Sequence, residues 1–181
     1  MIENELLEIA YSLKFSKASI INVEDIVLNK EFRKYCKQNI CKNYNTSYSC
    51  PPKCGSFNVL KNKISKYKNA LILETINYID TKSDIEIKKA KRNHNGMTLN
   101  VKDYLKTKFN IKSLIAGAGN CDLCKKCEYI ENRPCKYPMK RFSSLSAYCV
   151  DVSNLAKIAD LEYVYSVDKL SLVSIIFFNL V

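Results

Sequence analysis

The amino-acid sequence predicts an α+β or α/β fold, in which helices pack on a central sheet and two cysteine-rich loops extend from it. Apolar strand-like segments alternate along the chain with segments of helical periodicity. The apolar stretch LVSIIFFNLV is typical of a buried strand. A chain of 181 residues with 47% apolar content fills one core, so we expect residues 1–181 to form a single domain.

The first part of the chain is expected to run from a helix through a strand into a loop. Leu6 and Ala10 belong to a set of apolar residues at helical spacing, which predicts a surface helix over residues 3–14. The β-branched segment ASIINV predicts a short strand. After a second helix-like segment, the polar composition of residues 36–54 predicts the first cysteine-rich loop.

The middle of the chain is expected to contain two helices around a strand. Ser56 is a candidate N-cap for a helix with one apolar face. The segment ALILETINYI predicts a strand that is buried at its start. Residues 83–108 have a helical composition, and the segment NHNGM predicts a break within that helix.

The segment IKSLIAGAG predicts the strand that leads into the second cysteine-rich loop, residues 121–138. We expect Gly117 and Gly119 to let the backbone turn sharply into this loop. The segment SSLSAYCVDVSNLAKIAD then predicts a helix or a helix with a turn, in which Asp151 is a candidate helix cap.

Two closing strands are predicted after this helix. Their segments are LEYVYSV and SLVSIIFFNLV, and both are rich in β-branched or aromatic residues. The longest apolar run is about half of what a membrane-spanning helix needs. Because acidic residues interrupt the apolar N-terminal segment, no secretory signal is predicted, and we expect a cytoplasmic protein without a membrane partner.

The net charge of +11 raises the possibility of a nucleic-acid partner. The basic runs KNKISKYK and IKKAKR have the pattern of solvated helix faces, and they lack the interleaved aromatic residues that grip single strands. A general over-use of lysine explains the charge more simply. Nucleic acid therefore stays the weaker partner hypothesis.

Four cysteines in the second loop have the spacing Cys-x2-Cys-x2-Cys-x7-Cys. Three thiolates two residues apart can each bind a different iron of a 4Fe-4S cluster, whereas structural zinc usually takes two Cys-x2-Cys pairs with a long spacer. We therefore favour an iron–sulfur cluster over zinc and over metal-free thiols. The candidate ligands are Cys121, Cys124, Cys127 and Cys135.

The first loop contains four more cysteines, which form a candidate second metal site. Their intervals match no common zinc pattern, and some of them could instead be small buried hydrophobic residues. The candidate ligands are Cys36, Cys41, Cys50 and Cys54. Cys149 stands alone in the sequence, and we expect it to serve in packing.

Basic residues surround the second loop, and two of them, Lys125 and Lys126, are candidates for binding the cofactor. Cations beside a negatively charged cluster stabilise its reduced state. His94 is the only histidine, and its polar helical setting predicts an exposed side chain with no catalytic role.

Two segments resemble a family of predicted metal-binding proteins of iron–sulfur type, of unknown function, from anaerobic bacteria and methanogenic archaea. The segment CKNYNTSYSCPP is similar to a family pattern that ends in Cys-Pro-Pro. The segment AGAGNCDLCKKC, continued through PCKYP to SLSAYCVDV, is similar to a pattern with Cys-x2-Cys-x2-Cys. Asn45 and Cys149 stand where this resemblance places glycines. It implies metal ligation by the cysteines of both loops, with Cys54 outside the family set.

These observations together predict a metal-binding protein with one or two 4Fe-4S clusters, an electron-transfer or redox role, and a redox partner protein. Two alternatives remain at this point. One is an enzyme that uses an open iron site on a small substrate. The other is a zinc-stabilised module that binds nucleic acid.

Overall fold

A computed structural model describes residues 2–180 and contains one five-stranded mixed sheet. The strand order is β1-β2-β5-β3-β4. Neighbouring strands are antiparallel except β3 and β4, which run parallel. The strands are β1 (Lys17–Asn22), β2 (Asn69–Tyr78), β3 (Ser113–Gly117), β4 (Ser143–Ser144) and β5 (Lys169–Phe178).

Five α-helices accompany the sheet, which confirms the α+β class. They are α1 (Ile2–Ser12), α2 (Arg33–Gln38), α3 (Phe57–Ile64), α4 (Asp84–Phe109) and α5 (Val152–Ile158). Ser56 caps α3 and Asp151 caps α5, as predicted, because each side chain accepts a hydrogen bond from a backbone N–H in the first turn. Across residues 2–180, no helix combines the length and apolarity that membrane crossing requires.

One face of the sheet carries the core that reaches the first cysteine-rich loop. The alternation of side chains along β2 and β5 places Ile72 and Phe177 on this face. They pack with Leu60 of α3 and Leu155 of α5. Cys54 belongs to the same buried cluster. The first loop is therefore anchored in the core at its end.

The opposite face packs against α1 and α4. Ile176 and Phe178 of β5 lie in a buried cluster with Leu6 of α1 and Leu105 of α4. Because β5 pairs with β2 on one side and β3 on the other, it is covered in every direction. Its predicted burial is confirmed.

The predicted break at NHNGM is wrong, because α4 continues through it for 26 residues. Tertiary contacts outweigh the weak local propensity. The Asn95 amide donates to the carbonyl of Ala118 at 3.1 Å and accepts from its N–H at 2.9 Å. His94 and Thr98 of the same segment are also buried and hydrogen-bonded.

The predicted strand LEYVYSV is also wrong, since it makes only an isolated bridge between Tyr165 and Leu170. The buried carboxylate of Glu74 accepts hydrogen bonds from the N–H groups of Glu162 and Tyr163, at 3.1 and 2.9 Å. These bonds hold the backbone in an irregular path, because the same N–H groups are then not available to a neighbouring strand.

Candidate metal centre

The two cysteine-rich loops lie against each other. The N-terminal loop, predicted over residues 36–54, begins later than expected, because α2 extends to Gln38, and it leads to α3. The C-terminal loop, residues 121–138, lies between β3 and β4. Gly119, at the start of the C-terminal loop, has a left-handed φ of +83°, as predicted. Gly117 serves another purpose, since a Cβ atom there would lie 2.5 Å from the ring of Phe142.

Two tyrosines join the loops by reciprocal hydrogen bonds. The hydroxyl of Tyr48 donates to the carbonyl of Arg133, and the hydroxyl of Tyr129 donates to Oδ1 of Asn45, both at 2.7 Å. The tyrosine rings meet edge to face at 5.3 Å. Lys53 lies about 6 Å from both ring centroids. Each loop is thus held in place by a side chain of the other.

Carboxylates organise the C-terminal loop. Glu128 is buried and forms ion pairs with Arg133 and with Lys136, the latter at 2.7 Å. Hydrogen bonds from these two cations hold the pKa of Glu128 below its usual range. Glu131 pairs with Lys126 at 2.7 Å and with Arg133 at 2.8 Å. Three basic side chains of this loop, Lys126, Arg133 and Lys136, are therefore engaged by carboxylates.

Three thiols of the C-terminal loop are electrostatic neighbours. Burial raises the pKa of Cys124, and the negative charges of the Cys127 and Cys135 thiolates raise it further. Lys136 opposes this effect. All three side chains are partly exposed. A metal bound between them would remove the repulsion among the thiolates.

Cys121 lies deeper than the other thiols of this loop. It packs against the core cluster of the α1 and α4 face. Burial raises the pKa of this thiol, while hydrogen bonds from the backbone of Leu123 and Phe142 and from the Ser49 side chain lower it. Since Ser49 belongs to the N-terminal loop, Cys121 lies where the two loops meet.

Two thiols of the N-terminal loop, those of Cys36 and Cys54, lie near Arg33, the first residue of α2. Its Nη1 donates to the sulfur of Cys54 at 3.9 Å. Cys36 follows Arg33 by three residues on the same helix, and its thiol donates to the carbonyl of Ser146 at 3.9 Å. Burial raises the pKa of Cys50 to about 11, and the charges of neighbouring thiolates add to this effect.

The sequence-predicted ligands of this loop differ in exposure. Cys50 and Cys54 are 6% and 8% exposed, Cys36 is partly exposed and Cys41 is fully exposed. Cys149, which lies outside the loop, is completely buried and lies near Cys54; its expected packing role stays a prediction. In the described chain, residues 2–180, no three His, Cys, Asp or Glu side chains have an arrangement that could hold a metal ion.

Two residues of the site adopt left-handed backbone conformations. Asn45 has a φ of +57° and Cys149 has a φ of +58°. Both stand where the resemblance described above places glycines, and glycine is the residue that adopts this conformation at least cost. Asparagine tolerates it well, whereas cysteine does so less readily.

His94 is buried and not exposed, which corrects the sequence expectation. It is 1% exposed, and its Nδ1 and Nε2 atoms are hydrogen-bonded to Thr75 at 2.8 Å and Ser174 at 2.9 Å. Burial lowers its pKa to about 3, so the ring is neutral near pH 7. With both nitrogens engaged in the core, His94 is not available as a ligand for either loop.

The two lysines predicted to bind the cofactor have different surroundings. Lys126 pairs with Glu131, as described above. Lys125 lines a cleft of ≈ 370 Å³ together with Arg92 and Asp122. Nothing in these contacts assigns either lysine to a cofactor, and their role stays a prediction.

Sequence reasoning did not single out three features of this site. Arg33 was missed, although its position three residues before Cys36 on a helix could have indicated it. The buried role of Glu128 and the contact between Tyr48 and Tyr129 had no local signal, because each depends on how the loops fold against one another.

Comparisons with known proteins identify a family of predicted metal-binding proteins. A family model with the description "Predicted metal-binding protein (DUF2284)" matches residues 19–178. The match includes both loops, α2 and Cys149. Neither the curated proteins nor the solved structures gave a match.

Proposed function

We propose that this chain, which belongs to the family of predicted metal-binding proteins that matches it, is an iron–sulfur protein with an electron-transfer or redox role. The C-terminal loop would hold a 4Fe-4S cluster through its four cysteines. The cluster supplies one-electron chemistry when it is bound. The ligands would be Cys121, Cys124, Cys127 and Cys135.

The observation that carries this proposal is the donor set. The only histidine has both ring nitrogens engaged in the core, far in sequence from either loop. Cysteines therefore supply the soft donors, and thiolates in close succession favour iron–sulfur clusters or zinc. The spacing Cys-x2-Cys-x2-Cys favours the cluster, because each thiolate can bind a different iron.

The surroundings of the loop support a partner protein. Three apolar side chains within or directly after the C-terminal loop are exposed to solvent, and exposed apolar groups are typical of contact surfaces. They are Ile130, Tyr137 and Met139. All four thiols are partly exposed, which would leave a bound cluster close to the surface. We infer that a redox partner docks over this loop.

Metal and sulfide analysis tests the proposal. Protein purified or reconstituted without oxygen should contain iron and inorganic sulfide and should absorb visible light. Cys124→Ser should remove the part of the iron, sulfide and absorption that belongs to the C-terminal loop. Cys41→Ser is the matched control, because Cys41 is exposed in the other loop and its loss should leave that share intact.

A colourless protein without iron would refute the proposal. Zinc as the only metal, together with nucleic-acid binding that weakens steeply with salt, would support the zinc-stabilised module instead.

The cleft beside the C-terminal loop favours a second candidate, an enzyme with an open iron site. Its lining includes Leu123 and Asp122, which lie between the first two cysteines of the motif. If Cys135 is not a ligand, three cysteines would leave one iron free for a substrate. Iron content that survives Cys135→Ser, with a cluster spectrum that changes when small ligands are added, would establish this alternative.

A further inference from the structure

We propose that the cavity between the segment after β1 and the end of α3 binds a small amphipathic anion, a molecule with an apolar body and a single acidic group such as a carboxylate. The cavity has a volume of ≈ 650 Å³, which lies in the range of small-molecule sites. Within residues 2–180, no cysteine lines it. The site therefore goes beyond the proposed redox role and does not depend on a bound cluster.

The first support is the apolar part of the cavity lining. Ile26 and Ile64 are buried members of the core cluster that includes Cys54. Val23, Leu28 and Tyr67 also line the cavity, and they are only partly buried against the same cluster. An apolar ligand that covers these side chains removes their remaining apolar surface from water, which favours binding.

The backbone around the cavity is fixed by its own hydrogen bonds. The N–H of Val23 donates to the carbonyl of Lys68 at 2.8 Å, and the N–H of Ile26 donates to the carbonyl of Val23 at 3.2 Å. On the opposite wall, the N–H of Tyr67 donates to the carbonyl of Ile64 at 3.0 Å. Both walls are therefore in place before a ligand arrives, and binding requires little ordering of the chain.

The second support is the charge of the lining. Lys61 and Lys68 line the cavity, and neither belongs to an ion pair among residues 2–180. Glu24 is the one acidic residue of the lining, and it is likewise outside the ion pairs of the described chain. Two lysines and one glutamate leave a net charge of +1, which favours a ligand with one negative charge.

The third support is the hydroxyl of Tyr67, which makes no hydrogen bond within residues 2–180. The ring is held by the core, since it packs against Phe177 with ring centroids 6.4 Å apart. Burial raises the pKa of Tyr67, so the hydroxyl is protonated near pH 7 and can donate. A phenol and two ammonium groups form a donor set for an acidic group, and hydrogen bonds to an ionised acceptor are the stronger kind.

The test titrates the full-length protein with octanoate and, as the uncharged comparison, with octanol. Amide NMR spectra report both the affinity and the position of binding. Octanoate should cause saturable shifts in the amide signals of Val23, Ile64 and Tyr67. It should bind about fivefold more tightly than octanol, because only octanoate carries the acidic group. The same affinity in Cys124→Ser would show that the site is independent of the C-terminal loop.

Substitutions in the lining separate the charged contribution from the apolar one. Lys61→Gln together with Lys68→Gln should weaken octanoate binding about 5- to 10-fold and leave octanol binding unchanged. The matched control is Lys63→Gln together with Lys66→Gln, which removes the same charge from exposed neighbours outside the lining and should change either affinity less than about twofold. Tyr67→Phe should weaken octanoate binding about fivefold through loss of the hydroxyl.

Val23→Phe adds a larger ring to the cavity and should weaken octanoate and octanol binding alike, with a melting temperature close to that of the parent, because Val23 is only partly buried. The absence of saturable shifts around the cavity would overturn the proposal. Equal weakening by the two lysine pairs would also overturn it, since it would reduce the effect to general surface charge. A dimer that Val23→Phe disrupts would assign the cavity to a second copy of the chain and overturn the small-molecule site.

Discussion

Two regions of this protein bury the nitrogen atoms of a basic side chain, and they do so in opposite ways. His94 lies between α4 and the sheet, and both of its ring nitrogens have hydroxyl partners within 3 Å. Arg33 lies among the cysteines, and two of its three side-chain nitrogens have no partner in the described chain. Buried polar groups are nearly always paired, so the first region follows this rule and the second departs from it.

The two regions differ in how far their hydrogen bonds stabilise the fold. The network around His94 extends from Thr75 through Ser174 to Thr98, and its polar atoms satisfy one another. Such a network holds α4 in one register on the sheet. The surroundings of Arg33 stabilise the fold less, because two of its nitrogens make no hydrogen bond within the described residues.

The largest expected effect comes from removing His94. His94→Leu removes two buried hydrogen bonds, which should cost about 0.5–1.5 kcal/mol of unfolding free energy each, because Thr75 keeps the Asn77 amide and Ser174 keeps Thr98 as a partner. Denaturant unfolding measures this loss. Adding Thr75→Val and Ser174→Ala should restore part of it. Equal losses in His94→Leu and in metal-free Arg33→Met would show that the two regions do not differ.

The pH dependence of unfolding is the second test. The pKa of His94 falls from 6.5 to about 3 on folding, so below pH 6.5 the unfolded chain binds a proton that the folded chain does not. As the pH is lowered below 6.5, this group alone should reduce the free energy of unfolding by about 1.4 kcal/mol per pH unit. The reduction should stop near pH 3. His94→Gln should remove this contribution between pH 6 and pH 4.5. An unchanged slope would mean that His94 is accessible to protons in the folded protein.

The smallest expected effect concerns the contact between the loops. A double-mutant cycle of Tyr48→Ala and Tyr129→Ala should give a coupling of about 0.5–1.5 kcal/mol, because the rings touch edge to face. Hydrogen exchange should become faster in both loops and stay unchanged in α4 around His94. Faster exchange in only one loop would show that the loops are ordered independently.

Much of the fold could be predicted from the sequence, because local patterns determine it. The helix caps Ser56 and Asp151 and the buried strand β5 follow from residue type and periodicity. The errors occur where distant side chains act on the backbone. Asn95 reaches Ala118 and keeps α4 continuous, and Glu74 captures the segment that was predicted as a strand.

The candidate site shows the same division. The spacing of Cys121, Cys124 and Cys127 indicated a metal loop from the sequence alone. The proximity of Arg33 and Cys149 could not be predicted in that way, because 116 positions separate them in the chain. Their proximity results from the fold, which brings the turn after β4 next to the start of α2.

The central position of β5 has a consequence for how the protein is made. In the sheet, β2 and β3 contact each other only through β5, which follows both cysteine-rich loops in the chain. During translation, neither loop has a finished scaffold until β5 leaves the ribosome. The cysteines of both loops therefore leave the ribosome before the sheet that positions them is complete.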